Sequence, residues 1–478
     1  MDTLNAGLPY DRTAVVPGIV HLGVGAFHRA HMAVYIDDLL KTDMSWGIIG
    51  ASLRRPDTKN ALAPQGFLYT ALERSGSGTK LRVIGSLLDV IDAATQRREL
   101  IAAMVDPLIR IVSLTVTEKG YCHDPATGNL KADHPDILHD VEHSNAPISA
   151  PGLIVRALEL RRAAGIAPFT VLSCDNLPAN GETTARVITH FARMRDPLLA
   201  DFIDAEVAFP STMVDRIVPS TTDEDRRTLT EAYGIDDAWP VVTEPFTQWV
   251  VEDQFPSGRP DFENVGVEIV SDVRPFELMK LRMLNGSHSS LAYLGYLAGF
   301  EFVSDAVAEP ALASFVTNLM TNEVMETLPP DLGDLHHYKE ALLDRFANPA
   351  LKHRTWQIAM DGSQKLPQRL LGTIRDRLAN GQTIDLSALG VAAWMRYVTG
   401  VDEDGRPIDV LDPLAERLKA ISVAARGEPE RLVDGLLGVR EIFGEDLPES
   451  EHLRNVLYAH LAILLERGAL EAVRVVLR

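Results

Sequence analysis

Lys280, Asn285 and His288 stand in the segment MKLRMLNGSH at offsets of zero, five and eight. An amine, an amide and an imidazole held on one face could be presented together to one small polar ligand. On a regular α-helix, at about 100° per residue, they fall at roughly 0°, 140° and 80°, within one broad face. Helical side chains lean toward the N-terminus, so Asn285 and His288 would reach back toward Lys280. The same spacing also suits a half-solvated helix with scattered polar residues. A second cluster, HLGVGAFHRAH, sets Gly23 and Gly25 between a strand-like run and a helical one. This begins a dinucleotide fingerprint, G-x-G-x-x-G. The first glycine permits a tight turn, and the second lets backbone approach a pyrophosphate. Ala26 and Phe27 continue that turn, and His28 stands where the third glycine would be.

The elements that must position these residues follow two rhythms. In the first half, IVHLGVG, WGIIGASL, KLRVIGSL, IRIVSLTV and FTVLSC read as strands. Helical runs such as QRRELIAAMV and GLIVRALELRRAAG alternate with them, the latter ending at Gly165. Such alternation predicts a parallel sheet covered by helices. WPVVTEPF and VEIVSDV add late strands. Beyond about Pro275 the periodicity is helical throughout. The expected fold class is therefore α/β: a Rossmann-type N-terminal domain over 1–275, then a mostly α-helical domain over 276–478. The second strand runs into SLRRPDTK. Asp57 suits a ribose 2′-hydroxyl and NAD, whereas Arg54 and Arg55 suit a 2′-phosphate and NADP. Asp57 lies beyond the usual spacing of about 20 residues, so the preference stays open between the two, with a lean to NAD and NADP as the alternative.

Composition narrows the function further. Of 478 residues, 46% are hydrophobic and 24% charged, as in ordinary globular proteins. Lys and Arg number 46 against 67 Asp and Glu, a net charge of −21. That field opposes nonspecific binding to nucleic acid or anionic membrane. Cys122 and Cys174 are the two cysteines, too few for a disulfide framework, which predicts a reducing cytoplasm. The N-terminus lacks a signal-peptide pattern, and no apolar run reaches the length of about 18 residues that a membrane span needs.

The motifs IVHLGVGAFHRAH, VSLTVTEKGYC, SCDNLPANG, TMVDRIVP and KLRMLNGSH resemble the polyol-specific long-chain dehydrogenase/reductases, the mannitol dehydrogenase family. The resemblance runs from about Gly18 to the C-terminal helices. It implies NAD-dependent chemistry without zinc, in a cleft between a Rossmann domain and a helical domain. The sequence carries no H-E-x-x-H or C-x-x-C metal pattern.

By this resemblance Lys280 is the general acid/base. A free lysine, with a pKa of about 10.4, needs burial to serve as a base near neutrality. Asn285 and Asn176 match the amides that hold the reacting oxygen, and His288 matches a residue that binds a substrate hydroxyl. Asp215 matches a carboxylate near the lysine, and Glu277 a proton path to solvent. Each has a plainer reading. Asp175 and Asn176 would cap the helix that follows, Asp215 would pair with Arg216, and Glu277 would be a first-turn acid. His28 and His31 read as corner-packing residues rather than metal ligands, and Cys174 as a small core residue.

The segment NPALKHRTWQIAMDGSQKLPQRLL resembles the fructuronate reductases more than the mannitol 2-dehydrogenases. The resemblance thus implies interconversion of D-fructuronate and D-mannonate at C2, with mannitol/fructose or another polyol–ketose pair as the alternative. Lys365 matches a substrate-binding lysine, and Gln357 replaces an arginine of the mannitol enzymes. Arg354, Lys365 and Arg282 are the basic candidates for binding a substrate carboxylate. A monomer acting on a small sugar acid or polyol is expected.

Overall fold

The computed structural model describes residues 7–124 and 127–478. The chain divides into two compact units, Met1–Arg274 and Pro275–Arg478. In the first, five strands form a parallel sheet in the spatial order Leu87–Asp92, Gly47–Ser52, Pro17–Leu22, Ile111–Leu114 and Thr170–Ser173. Successive side chains point to opposite faces. Val20, Val112 and Val171 therefore enter one core with Leu153 and Phe191. Ile19, Ile111 and Leu172 enter the other with Tyr35 and Trp46. Burial on both faces explains why these strands read as continuous apolar runs. The strand order reverses between Pro17–Leu22 and Ile111–Leu114, and crevices for ligands open at such switch points.

The run KLRVIGSL is not the third parallel strand. Gly78–Ile84 pairs antiparallel with Tyr69–Ser75 in a side sheet, and the parallel strand is Leu87–Asp92. Gly85 and Ser86 separate the two. The Gly85 N–H donates to Asp37 at 2.8 Å, and the Ser86 hydroxyl donates to the Ala33 carbonyl at 2.7 Å. Any Cβ at Gly85 would collide with Leu8 and the Tyr10 hydroxyl. A second side sheet joins Thr212–Asp215, Gln248–Glu252 and Glu268–Val270. Helix Ala150–Ala164 starts where the Ser149 hydroxyl accepts the Gly152 N–H at 3.0 Å and stops at Gly165, φ 68°.

Beyond Val270 the described residues form helices, turns and isolated bridges. In the second unit Ser287–Leu297, Asp385–Tyr397 and Glu451–Arg467 share one core that includes Leu291, Val391, Trp394 and Leu457. Asp385–Tyr397 is buried from Leu386 onward. The buried Glu323 carboxylate accepts the N–H groups of Leu386 and Ser387, both at 2.8 Å, and so satisfies that helix start. The helical periodicity over 305–328 does not make one helix, because Pro310 opens a new one, Pro310–Asn318, after Val303–Ala308. Among the described residues no helix is long and apolar enough to cross a membrane.

Candidate active site

In the first unit the glycine turn lies at the carboxyl end of Pro17–Leu22. Gly23 adopts φ +96°, and a Cβ there would come 2.2 Å from the Thr115 carbonyl oxygen. Gly23 therefore permits the two central strands to end in contact. Its carbonyl accepts the Thr115 hydroxyl at 2.7 Å. Gly25 differs: the nearest atom to a Cβ there is the Gly23 carbonyl oxygen at 4.0 Å. It caps the short helix Ala26–Ala30 with no side-chain bond to the first N–H groups. A bare backbone turn at a switch point fits a dinucleotide pyrophosphate. Ala26 and half-buried Phe27 open that helix, and Phe27 stacks on His31 with ring centroids 5.0 Å apart. A second helix, Met32–Leu39, begins after a break at His31.

Asp57 does not end a strand. It is exposed and opens helix Asp57–Leu62, where the neighbouring Thr58 hydroxyl donates to the Val24 carbonyl at 3.1 Å. That bond keeps Asp57 beside the glycine turn. Asn176 is exposed just past Thr170–Ser173. Asp175 does not cap the next helix, which starts at Asn180 behind Ala179. Its carboxylate instead accepts the N–H groups of Val116 and Thr117 at 2.9 and 3.0 Å and the Tyr121 hydroxyl at 2.9 Å. Burial pushes its pKa up. It ties the segment after Ile111–Leu114 to the base of Asn176. Asp215 is buried at the end of Thr212–Asp215. The adjacent Arg216 pairs with Glu73 at 2.7 Å and donates to the Glu244 and Ala30 carbonyls.

In the second unit the helical expectation for Lys280–His288 needs correction. Residues Lys280–Gly286 form a π-helical segment between helices Arg274–Met279 and Ser287–Leu297. Its i→i+5 bonding brings residues five apart far closer into line than the roughly 140° of an α-helix. Lys280 and Asn285 thereby share one face. Two further π segments, Leu319–Val324 and Pro367–Leu371, occur in this unit. Gly286 lets the first approach the last, since a Cβ there would lie 2.6 Å from the Arg369 carbonyl oxygen. Lys280 is 9% exposed and His288 8%. Glu277 is half-buried on Arg274–Met279.

The basic candidates differ in how they are held. Arg282 is buried, pairs with Asp376 at 2.6 Å and donates to the Thr327 carbonyl at 3.1 Å. Arg354 is exposed, pairs with Glu301 and lies over Phe302. The Lys365 ammonium donates to the Ile358 and Met360 carbonyls at 3.2 and 2.5 Å. Two residues that spacing did not single out join His288. The His353 ring meets it edge-on at 4.7 Å, and Arg369 follows Lys365 by one turn. Among the described residues Cys122, His134 and Asp136 also gather within 4.8 Å. His134 Nδ1 accepts the Asp136 N–H at 3.2 Å, however, capping helix Pro135–Glu142. A metal-bound histidine donates from its other ring nitrogen, so this arrangement is that of a cap.

Buried imidazoles set an acid limit on both units. Burial pulls His21 down to about 3 and His353 to about 4, and holds His28 and His288 well below their ordinary value. His21 bridges the Ser113 and Thr115 hydroxyls, both at 2.8 Å, and stacks on His28. A histidine whose folded pKa lies below its unfolded value stabilises fully above about 6.5 and loses that contribution as pH falls toward the folded pKa. Stability should thus fall between pH 6.5 and 4 by up to about 1.4 kcal/mol per pH unit for each such histidine. Urea unfolding across that range measures the slope. A flat profile would contradict the buried neutral imidazoles.

The comparisons agree across the chain. Residues 17–264 match the Mannitol dehydrogenase Rossmann domain, and residues 272–464 the Mannitol dehydrogenase C-terminal domain. D-mannonate oxidoreductase of Escherichia coli (strain K12) is 48% identical over 97% of this chain and 96% of its own length. Mannitol 2-dehydrogenase of Aspergillus fumigatus is 44% identical over 93% and 90%. The solved ternary complex of Pseudomonas fluorescens mannitol 2-dehydrogenase with NAD and D-mannitol is 41% identical, covers 98% of this chain and 96% of that one, and has a TM-score of 0.86. With both compact units matched and relatives spanning nearly its full length, the chain belongs to the mannitol dehydrogenase family of oxidoreductases.

Proposed function

We propose that the chain is an NAD(H)-dependent, zinc-independent oxidoreductase that interconverts D-fructuronate and D-mannonate by hydride transfer at C2 of the ketose skeleton. The observation that carries the uronate reading is electrostatic. Burial first, then His353 and the charges of Arg369, Arg345 and Lys365, hold His288 well below its ordinary pKa, so three bases lie near this one histidine. Bases gathered near one buried histidine suit an anionic substrate. The likeness to D-mannonate oxidoreductase points the same way. The neutral alternative, D-mannitol and D-fructose, draws on the equally extensive likeness to mannitol 2-dehydrogenases.

The bound NAD accepts or supplies the hydride. Lys280 holds the proton at the reacting oxygen, taking it in alcohol oxidation and returning it in ketone reduction. Asn285, in line with Lys280, and Asn176 are assigned as donors to that oxygen as negative charge develops. His288, neutral, is assigned to a substrate hydroxyl, Asp215, as a carboxylate, to assisting the lysine's proton transfer, and Glu277 to proton exchange with solvent. Gly23, Gly25, Ala26, Phe27 and Asp57 are assigned to the cofactor. The exposed carboxylate of Asp57 supports NAD over NADP. A cytoplasmic monomer belongs to the same reading, and the two free cysteines fit a reducing compartment.

NADH oxidation is measured with D-fructuronate and then with D-fructose, with Lys280→Ala as control. Turnover of fructuronate, lost in the variant, is expected. Turnover of fructose alone would replace this reading by the mannitol one.

A further inference from the structure

The uronate reading requires a group that binds a carboxylate, and the basic residues of the second unit are not equivalent in this respect. Arg282 already holds Asp376, and Arg354 holds Glu301 at the surface. The Lys365 ammonium spends two of its three donors on carbonyls. Arg369 is different. Its side chain makes one hydrogen bond, from Nη1 to the Ser289 hydroxyl at 2.9 Å. No carboxylate among the described residues is seen to pair with it, and the residue is half-buried. A guanidinium has five donors in a planar fork. Burial draws its pKa down to about 10, opposed by Tyr293.

Its position is fixed by packing. Arg369 belongs to the π segment Pro367–Leu371, whose backbone lies against Gly286, next to Asn285. Ser289, its partner, follows His288. His353 stands edge-on to His288, and its Nδ1 is buried without a hydrogen-bond partner. The buried His353 Nδ1 and an Arg369 guanidinium with one hydrogen bond thus both offer polar groups near His288.

Resting on the proposed substrate class, we propose that Arg369 binds the substrate carboxylate through its free fork, with His353 completing the anion site beside His288. The fork suits the two oxygens of a carboxylate and has no matching partner in a hydroxymethyl group. Arg369 is thus the residue that separates a uronate from the corresponding neutral ketose.

The test compares wild type, Arg369→Met and Arg369→Lys in NADH-linked reduction of D-fructuronate and D-fructose, with KM and kcat separated. The methionine variant should raise KM for fructuronate about a hundredfold, with a much smaller fall in kcat. The loss in kcat/KM with fructose should be at least tenfold smaller. The lysine variant, keeping charge without the fork, should recover part of the fructuronate KM. Wild type that prefers fructuronate, with Arg369→Met losing equally on both ketoses or on neither, overturns the role of Arg369 and leaves the substrate reading standing. Wild type that reduces only fructose overturns both. Should the methionine variant fail to fold, Arg369→Lys carries the test, and an equal change on both ketoses again overturns the role.

Discussion

Lys280→Ala should lower kcat/KM by about 10³ to 10⁴ in both reaction directions, since positioned acid–base catalysis contributes up to that factor. Lys280 is buried where an α-helix passes into the π segment Lys280–Gly286, so its amine is held at a fixed point of the backbone. The variant keeps any cofactor turn intact, because that turn is built from Pro17–Leu22 and Gly23 in the other unit. NADH affinity should therefore change by less than about threefold while turnover collapses, the mark of a loss confined to the transition state. Lys280→Arg makes the point sharper. It keeps the positive charge, yet a guanidinium does not give up its proton near neutrality. It should be nearly as inactive as alanine. Addition of a small primary amine should restore part of the alanine variant's rate and none of the arginine variant's. Retention of more than a tenth of wild-type kcat by Lys280→Ala would remove the lysine from the chemistry.

Much of the frame was legible because it rests on local signals. Alternating strand and helix runs specify a parallel sheet, and Gly165 stops its helix for the reason any αL cap does. What the sequence hid depends on contacts distant along the chain. KLRVIGSL has one hydrophobic pattern but belongs to two sheets, because Asp37 and Ala33 capture Gly85 and Ser86. Strand Tyr69–Ser75 mixes charge and apolar residues and is defined by its partners on both sides.

The π geometry of Lys280–Gly286 carries no residue-type signature. The offset of five between Lys280 and Asn285 fits a broad α-helical face as well, and the π segment only narrows the angle between them. Arg369 was hidden for a related reason. Seen in sequence it is one base among several in a basic segment. Only the pairing of Arg354 with Glu301 and of Arg282 with Asp376 singles it out.

The two glycines of the turn should separate folding from cofactor binding when each is replaced by alanine. At Gly23 the backbone lies at φ +96°, and the new Cβ would sit 2.2 Å from the Thr115 carbonyl oxygen. An L-residue pays strain of about 1–3 kcal/mol for such a conformation, and backbone rather than a movable side chain stands in the way. Thr115 would have to retreat, loosening the junction of Pro17–Leu22 with Ile111–Leu114 and the hydroxyls that hold His21. Gly23→Ala should lower the thermal midpoint by several degrees or more and bind NADH poorly as a consequence. At Gly25 the backbone is extended, φ −93°, and the Cβ would meet nothing nearer than the Gly23 carbonyl oxygen at 4.0 Å. Nothing in the protein resists it, so the thermal midpoint should stay where it is. The surface it would cover is the one assigned to the pyrophosphate, and a methyl group there keeps the phosphates from the backbone. NADH affinity should fall about a hundredfold, roughly 2.7 kcal/mol. Differential scanning fluorimetry with fluorescence titration of NADH reads both quantities on the same samples. If Gly25→Ala binds NADH like wild type, the pyrophosphate does not lie against this turn, and the assignment of Gly25, Ala26 and Phe27 to the cofactor fails with it.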